Sequence, residues 1–101
     1  MPTYIIHHNG AFNEYSTISD APRWEHALTE RQLRTAHQAE CEVNSQDFNR
    51  IFLTRLQRAR QTGCSMHGWT LDDCIAGNRA GENERCLNRQ EFIERFLTLP
   101  K

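Results

Sequence analysis

The chain has 101 residues, of which 38% are hydrophobic and 25% are charged, and its formal net charge is -1. This composition is typical of one globular domain, here covering residues 1–101, and not of a disordered segment. The lack of a basic excess argues against nucleic acid as the main ligand. No apolar run approaches the roughly 18 residues that span a membrane, and no signal-peptide pattern opens the chain. We therefore expect a cytoplasmic protein without membrane contact.

A β-hairpin is predicted over residues 3–19. Two runs rich in aromatic and β-branched residues flank Asn9-Gly10, a pair that favours tight hairpin turns. A two-residue loop pairs even-numbered positions with odd-numbered ones, whereas a three-residue loop with a glycine bulge pairs even with even. We prefer the three-residue loop because it places four apolar side chains on one face of the hairpin. These are Tyr4, Ile6, Phe12 and Ile18.

The adjacent pair His7-His8 lies at the end of the first predicted strand. Neighbouring strand residues point to opposite faces, so the two rings do not chelate one ion from a regular strand. We interpret both histidines as flanks of the turn and not as a metal or catalytic site.

Three helices are predicted from one repeated N-terminal pattern. Each has a Thr or Asn at the N-cap position and a side chain with an acceptor oxygen three residues later, which together form a capping box. The pairs are Thr29 with Gln32, Thr70 with Asp73, and Asn88 with Glu91. The predicted helices cover residues 30–62, 71–77 and 89–97.

The long predicted helix has a broad apolar face at helical spacing. This face contains Leu33, His37, Cys41, Phe48, Ile51, Phe52, Leu56 and Ala59. His37 is interpreted as a satisfied core histidine, since a lone His on an apolar face is seldom a ligand. Asn44 or Ser45 offers an alternative start for a second helix or a kink. The predicted fold class is α+β, with an N-terminal hairpin packed against one long helix and two shorter C-terminal helices.

The cysteines give no sign of a metal or catalytic centre. They are Cys41, Cys64, Cys74 and Cys86, and no two form a C-x-x-C pair. Cys64 and His67 have a metal-like spacing, but the gaps to the other cysteines are irregular for a tetrahedral zinc site. A Cys-His nucleophile in this segment lacks a recognisable orienting group. We therefore predict free thiols, no metal, no cofactor and no catalytic residue.

Two segments remain as candidate binding sites. Asn78, Arg79 and Arg85 lie in the loop 77–86, where glycine amides and guanidinium groups suit a phosphate or carboxylate. The loop lacks the Lys-Ser/Thr of a phosphate-binding loop, and its alternative reading is a helix C-cap followed by a polar connection. Arg23-Trp24 combines the residue types that dominate protein interfaces. The alternative for Trp24 is a cap on the open end of the hairpin core.

The leading hypothesis from the sequence is a non-enzymatic protein that binds a host or self protein. Small size without a catalytic motif suits an accessory or inhibitor-type protein of a phage or mobile element. The alternative is a small-ligand or nucleotide-binding protein that uses the loop 77–86, and a cysteine- or zinc-dependent enzyme ranks third. A homodimer is also predicted, because the hairpin offers two open edges and an apolar face that one helical layer leaves uncovered, with Ile5 and Tyr15 on that face.

Overall fold

The computed structural model describes residues 3–40, 45–66 and 68–99. In chain order its elements are β1 (Thr3–His8), β2 (Ala11–Ser16), β3 (Ala21–Pro22), α1 (Glu30–Glu40), α2 (Ser45–Thr62), α3 (Leu71–Ala76), a short 3-10 helix (Glu82–Glu84) and α4 (Arg89–Phe96). The strands form one antiparallel sheet in the order β1-β2-β3. The predicted α+β class is confirmed. Within the described ranges, no helix is long and apolar enough to cross a membrane.

The preferred hairpin register is wrong, because β1 and β2 are joined by a two-residue turn. Tyr4 pairs with Tyr15 across the two strands. Asn9 and Gly10 both adopt positive φ, 48° and 79°, as a type I′ turn requires. The intrinsic preference of the Asn-Gly pair therefore decides the register, and Phe12 lies on the opposite face from Tyr4.

The sheet is covered on both faces, which removes the reason for preferring the other register. One face packs on α1 and α2 through a core of Ile5, Phe12, Leu33, Phe52, Leu56 and Ala59. The other face meets α3 and α4 through a core of Ile6, Tyr15, Cys64, Leu71, Cys74, Ile75, Leu87, Phe92, Phe96 and Leu97. All six residues of β2 are buried. The predicted uncovered face with Ile5 and Tyr15 is therefore wrong, whereas Ile18, predicted in the core, is 67% exposed.

Both long edges of the hairpin are also occupied. On the outer edge of β1, the His7 N–H donates to the Gly63 carbonyl oxygen at 3.0 Å. On the far edge of β2, β3 pairs with the strand, and Phe12 and Leu28 exchange backbone hydrogen bonds of 2.8 and 2.7 Å. The homodimer was predicted because these edges were expected to be open. It therefore stays a prediction, and no contact of the described residues supports it.

All three predicted capping boxes are present. At α1, the Gln32 N–H donates to Thr29 Oγ1 at 3.1 Å and the Thr29 N–H donates to Gln32 Oε1 at 2.9 Å. The same reciprocal bonds open α3 and α4. The predicted helix 30–62 corresponds to α1 and α2, and its continuity across 41–44 lies outside the described residues. Ile51, which was predicted on the apolar face of this helix, is 45% exposed.

Both histidines of the hairpin contact its turn, as predicted. The Gly10 N–H donates to His7 Nε2 at 3.0 Å, and the His7 ring packs 4.8 Å from the Phe12 ring. His8 Nε2 lies 3.2 Å from Asn9 Nδ2. The neutral form of His7 is therefore the form that fits the turn, because an imidazolium has no acceptor nitrogen.

Acidification is expected to destabilise the hairpin through His7. Burial, and then the charge of Arg60, lower the pKa of His7 below its ordinary value. The stabilisation of the fold by neutral His7 is fully present above the unfolded-state pKa of about 6.5. It is lost as pH falls through the lowered folded-state pKa. His7→Gln should therefore lose less unfolding free energy than the parent chain between about pH 8 and pH 5 in urea titrations. Equal losses in the two proteins would contradict this role of His7.

Candidate functional site

A buried carboxylate lies in the middle of the sheet. Glu14, on β2, is 1% exposed and faces α1. An ionised group in such a place is costly unless it is paired. The Trp24 indole Nε1 donates to Glu14 Oε2 at 2.6 Å, and Arg23 Nη1 lies 3.6 Å from the same oxygen. We call Glu14, Arg23, Trp24 and His37 the Glu14 cluster.

His37 joins this cluster from α1. Its Nδ1 lies 3.1 Å from Glu14 Oε1, and its ring packs edge-on against Phe52 at 5.5 Å between centroids. The geometry of the approach to Glu14 does not form a hydrogen bond, so Nδ1 is buried without a hydrogen-bond partner among the described residues. His37 packs on the core residue Phe52 and is part-buried, but the prediction that it is satisfied is wrong, because its Nδ1 has no hydrogen-bond partner among the described residues.

The segment that carries Trp24 is fixed by two neighbouring residues of β2. The Asn13 side chain accepts from the Trp24 N–H at 3.2 Å and donates to the Trp24 carbonyl oxygen at 3.0 Å. The Arg23 N–H donates to the Glu14 carbonyl oxygen at 2.7 Å. Because Asn13 and Glu14 are adjacent on a strand, their side chains hold this segment from both sides of the sheet.

A groove runs along α1 beside Trp24. It has a volume of about 450 Å³ and is lined by Trp24, Leu28, Arg31, Gln32, Thr35 and Ala36. We call it the Trp24 groove. The Trp24 ring is half-buried, and the Arg23 guanidinium stacks 4.9 Å from its centroid. The groove therefore combines apolar walls with an exposed cation, Arg31.

Asn78, predicted to bind a ligand, is a structural residue of the loop 77–86. It is 1% exposed, and its side-chain oxygen accepts from the N–H groups of Ala80 and Leu87 at 3.2 and 3.0 Å. Its amide nitrogen donates to the carbonyl oxygens of Ile75 and Leu87. Since an amide side chain has two donors and two acceptor positions, Asn78 has none left for a ligand.

Asn78→Ala is expected to cost about 2 kcal/mol of unfolding free energy, because it leaves buried backbone groups on both sides of the loop without hydrogen-bond partners. Urea denaturation measures the loss. Arg79→Ala is the matched control: its side chain is exposed, and the change is expected to stay within about 0.5 kcal/mol. Equal stability of the two variants would show that the Asn78 bonds do not hold the loop.

The two arginines of this loop do not meet at one anion site. Arg85 Nη2 pairs with Glu91 Oε2 at 3.1 Å. The groove of about 440 Å³ beside the loop is lined by Gly81, Glu82, Arg85, Leu87, Glu91, Glu94 and Arg95. Its three carboxylates outnumber its two guanidinium groups, and Arg79 does not line it. The charge of this groove therefore disfavours a phosphate or nucleotide.

The predicted cysteine-histidine candidate falls partly outside the described residues, since His67 is not among them. Cys64 and Cys74 are buried, and Cys86 is exposed. Residues 3–40, 45–66 and 68–99 contain no group of three His, Cys, Asp or Glu side chains arranged to hold a metal ion.

The structure thus brings Arg23 and Trp24 into one site and leaves Asn78, Arg79 and Arg85 apart from it. Sequence reasoning missed Glu14 and Arg31. The adjacent polar pair Asn13-Glu14 within a strand-like run was the available signal for a buried polar cluster. In the comparisons with known proteins, no family model, no curated protein and no solved structure matches the chain.

Proposed function

We propose that this chain is a non-enzymatic protein-binding protein whose contact surface is the Trp24 groove. The observation that carries the proposal is the 2.6 Å hydrogen bond from the Trp24 indole to the buried Glu14 carboxylate. It holds a half-exposed aromatic ring as a fixed wall of an apolar groove. Trp and Arg contribute most to the binding energy of many interfaces, and an anchor that is already ordered loses little entropy on binding.

The occupant that fits the groove is an amphipathic helix of a partner protein, with an apolar side chain next to a carboxylate. The apolar side chain matches the walls formed by Trp24, Leu28 and Ala36. The carboxylate matches Arg31, which forms no ion pair within the described ranges. A groove that follows one face of α1 suits a second helix laid alongside it.

The test is quantitative affinity purification with two matched substitutions. Thr35 lies in the groove and Thr54 lies on α2; both are exposed, and both donate a side-chain hydrogen bond to the carbonyl oxygen four residues earlier, at 3.0 and 2.9 Å. Thr35→Arg fills the groove with a long side chain, and Thr54→Arg makes the same change of size and charge outside it. Tagged parent, Thr35→Arg and Thr54→Arg chains are produced in the source cell, and the proteins recovered with each are compared by mass spectrometry.

We expect one protein to be recovered in near-stoichiometric amount with the parent and with Thr54→Arg, and about tenfold less with Thr35→Arg. Circular dichroism melting of both variants checks that the fold is kept. Equal recovery with all three chains would contradict binding at the groove. Loss with Thr54→Arg alone would place the contact surface on α2 instead.

A further inference from the structure

Two buried thiols face each other beneath the end of α2, at a place that the proposed function does not use. The Cys74 thiol lies 3.6 Å from Cys64 Sγ, and both residues are almost fully buried. Cys64 belongs to the segment that pairs with the outer edge of β1, where it bridges Ile6. Cys74 lies on α3. The sulfur pair therefore spans the junction between the sheet edge and a helix.

This juxtaposition is set by Gly63. Its N–H donates to the Ala59 carbonyl oxygen at 2.7 Å, and its φ of +88° turns the chain out of α2. A Cβ at this position would lie 2.5 Å from Leu71 Cβ. Only glycine therefore lets the chain pass so close to the start of α3, and this passage presents Cys64 to the side chain of Cys74.

We infer that Cys64 and Cys74 form a peroxide-sensitive thiol pair that closes to an intramolecular disulfide. A disulfide bond is about 2.05 Å long, so the sulfur atoms have to approach by roughly 1.5 Å from their present separation. Burial restricts the oxidant to one of about the size of water. Hydrogen peroxide meets this limit, whereas a bulky disulfide reagent reaches the exposed Cys86 first.

The two thiols differ in pKa, and the reaction requires one thiolate and one protonated thiol. The hydrogen bond from Cys74 lowers the pKa of Cys64 to about 7, and the same bond together with burial raises the pKa of Cys74. Cys64 is therefore the thiolate that attacks. Its sulfur bonds to one peroxide oxygen as the O–O bond breaks, which gives a sulfenic acid and a hydroxide that is protonated to water.

The Cys74 sulfur then attacks the Cys64 sulfur. The S–S bond forms, the S–O bond breaks, and the departing hydroxide takes the Cys74 proton as water. In sum, two thiols and one hydrogen peroxide give one disulfide and two waters. The disulfide links α3 to residues 63–65, the segment that pairs with the outer edge of β1. Because it closes a loop, it should raise the melting temperature by on the order of 10 °C.

The test treats the fully reduced chain with hydrogen peroxide, then unfolds it and alkylates the free thiols. We expect the intact mass to show two fewer alkylated cysteines, and peptide mapping to show a Cys64–Cys74 cross-link. Cys86→Ser should keep this cross-link. Cys74→Ser should instead trap a sulfenic acid on Cys64, which dimedone labels, and thiol reductants should reverse both the cross-link and the gain in melting temperature.

A disulfide between any other two cysteines would overturn the inference. Complete alkylation of Cys64 and Cys74 after peroxide treatment would do so as well. A Cys64–Cys74 cross-link without a change in melting temperature would refute its role in fastening the segment to α3.

Discussion

Phe92→Ala is expected to lower the free energy of unfolding by about 4 kcal/mol. The Phe92 side chain is fully buried beneath the sheet. Its ring centroid lies 5.4 Å from that of Phe96 and 6.5 Å from that of Tyr15. Truncation removes the transfer energy of the ring and leaves a cavity that helices on this side of the sheet fill only in part.

Urea denaturation of the variant, followed by far-UV circular dichroism, measures this loss. Gln90→Ala is the matched control, because Gln90 is exposed on the same helix and the change is expected to stay within about 0.5 kcal/mol. A near-neutral Phe92→Ala that also loses partner binding would show that the face of α4 carrying Phe92 is an interface and not part of the core.

Glu14→Ala is expected to cost about 3 kcal/mol and to release Trp24 from the groove wall. The substitution removes the acceptor of the indole N–H and the carboxylate that lies 3.1 Å from Nδ1 of the part-buried His37. Arg23 is exposed and gains water in compensation, so most of the loss comes from the Trp24 indole, whose N–H loses its acceptor. Stability is measured by urea denaturation.

Glu14→Gln separates the loss of the hydrogen bond from the loss of the charge, and tryptophan fluorescence reports whether Trp24 is released. Glu14→Gln retains an acceptor oxygen of the same reach, so its cost is expected to be about half as large. In a Trp69→Phe background, Trp24 is the one remaining tryptophan, and its fluorescence should shift to the red with Glu14→Ala. An unshifted spectrum with unchanged stability would contradict the view that Glu14 fixes Trp24.

Local patterns in the sequence predicted the helix starts well, because a capping box is satisfied within four consecutive residues. Thr29, Thr70 and Asn88 make the bonds that their spacing predicts. The hairpin was also correctly placed by Asn9-Gly10. These features depend on short-range stereochemistry, which the rest of the fold does not override.

The register and the site depended on contacts that are distant in the chain. The preferred register assumed one buried face, but helices from both halves of the chain enclose β2. Glu14 meets Trp24 and His37, ten and twenty-three residues further on, only after the segment before α1 folds back along the sheet. Asn78 looked like a ligand-binding loop residue because its buried backbone partners are not visible in the sequence pattern.

Site-specific photo-cross-linking shows whether a partner protein lies in the Trp24 groove. A photoreactive diazirine analogue of leucine replaces Leu28, whose side chain already lines the groove, in one chain, and replaces the exposed Leu53 on α2 in another. Both chains are irradiated in a lysate of the source cell. We expect a covalent adduct from position 28, with a partner peptide that contains adjacent apolar and acidic residues, and none from position 53. Adducts from position 53 alone, or none from either position, would show that no partner lies in the Trp24 groove.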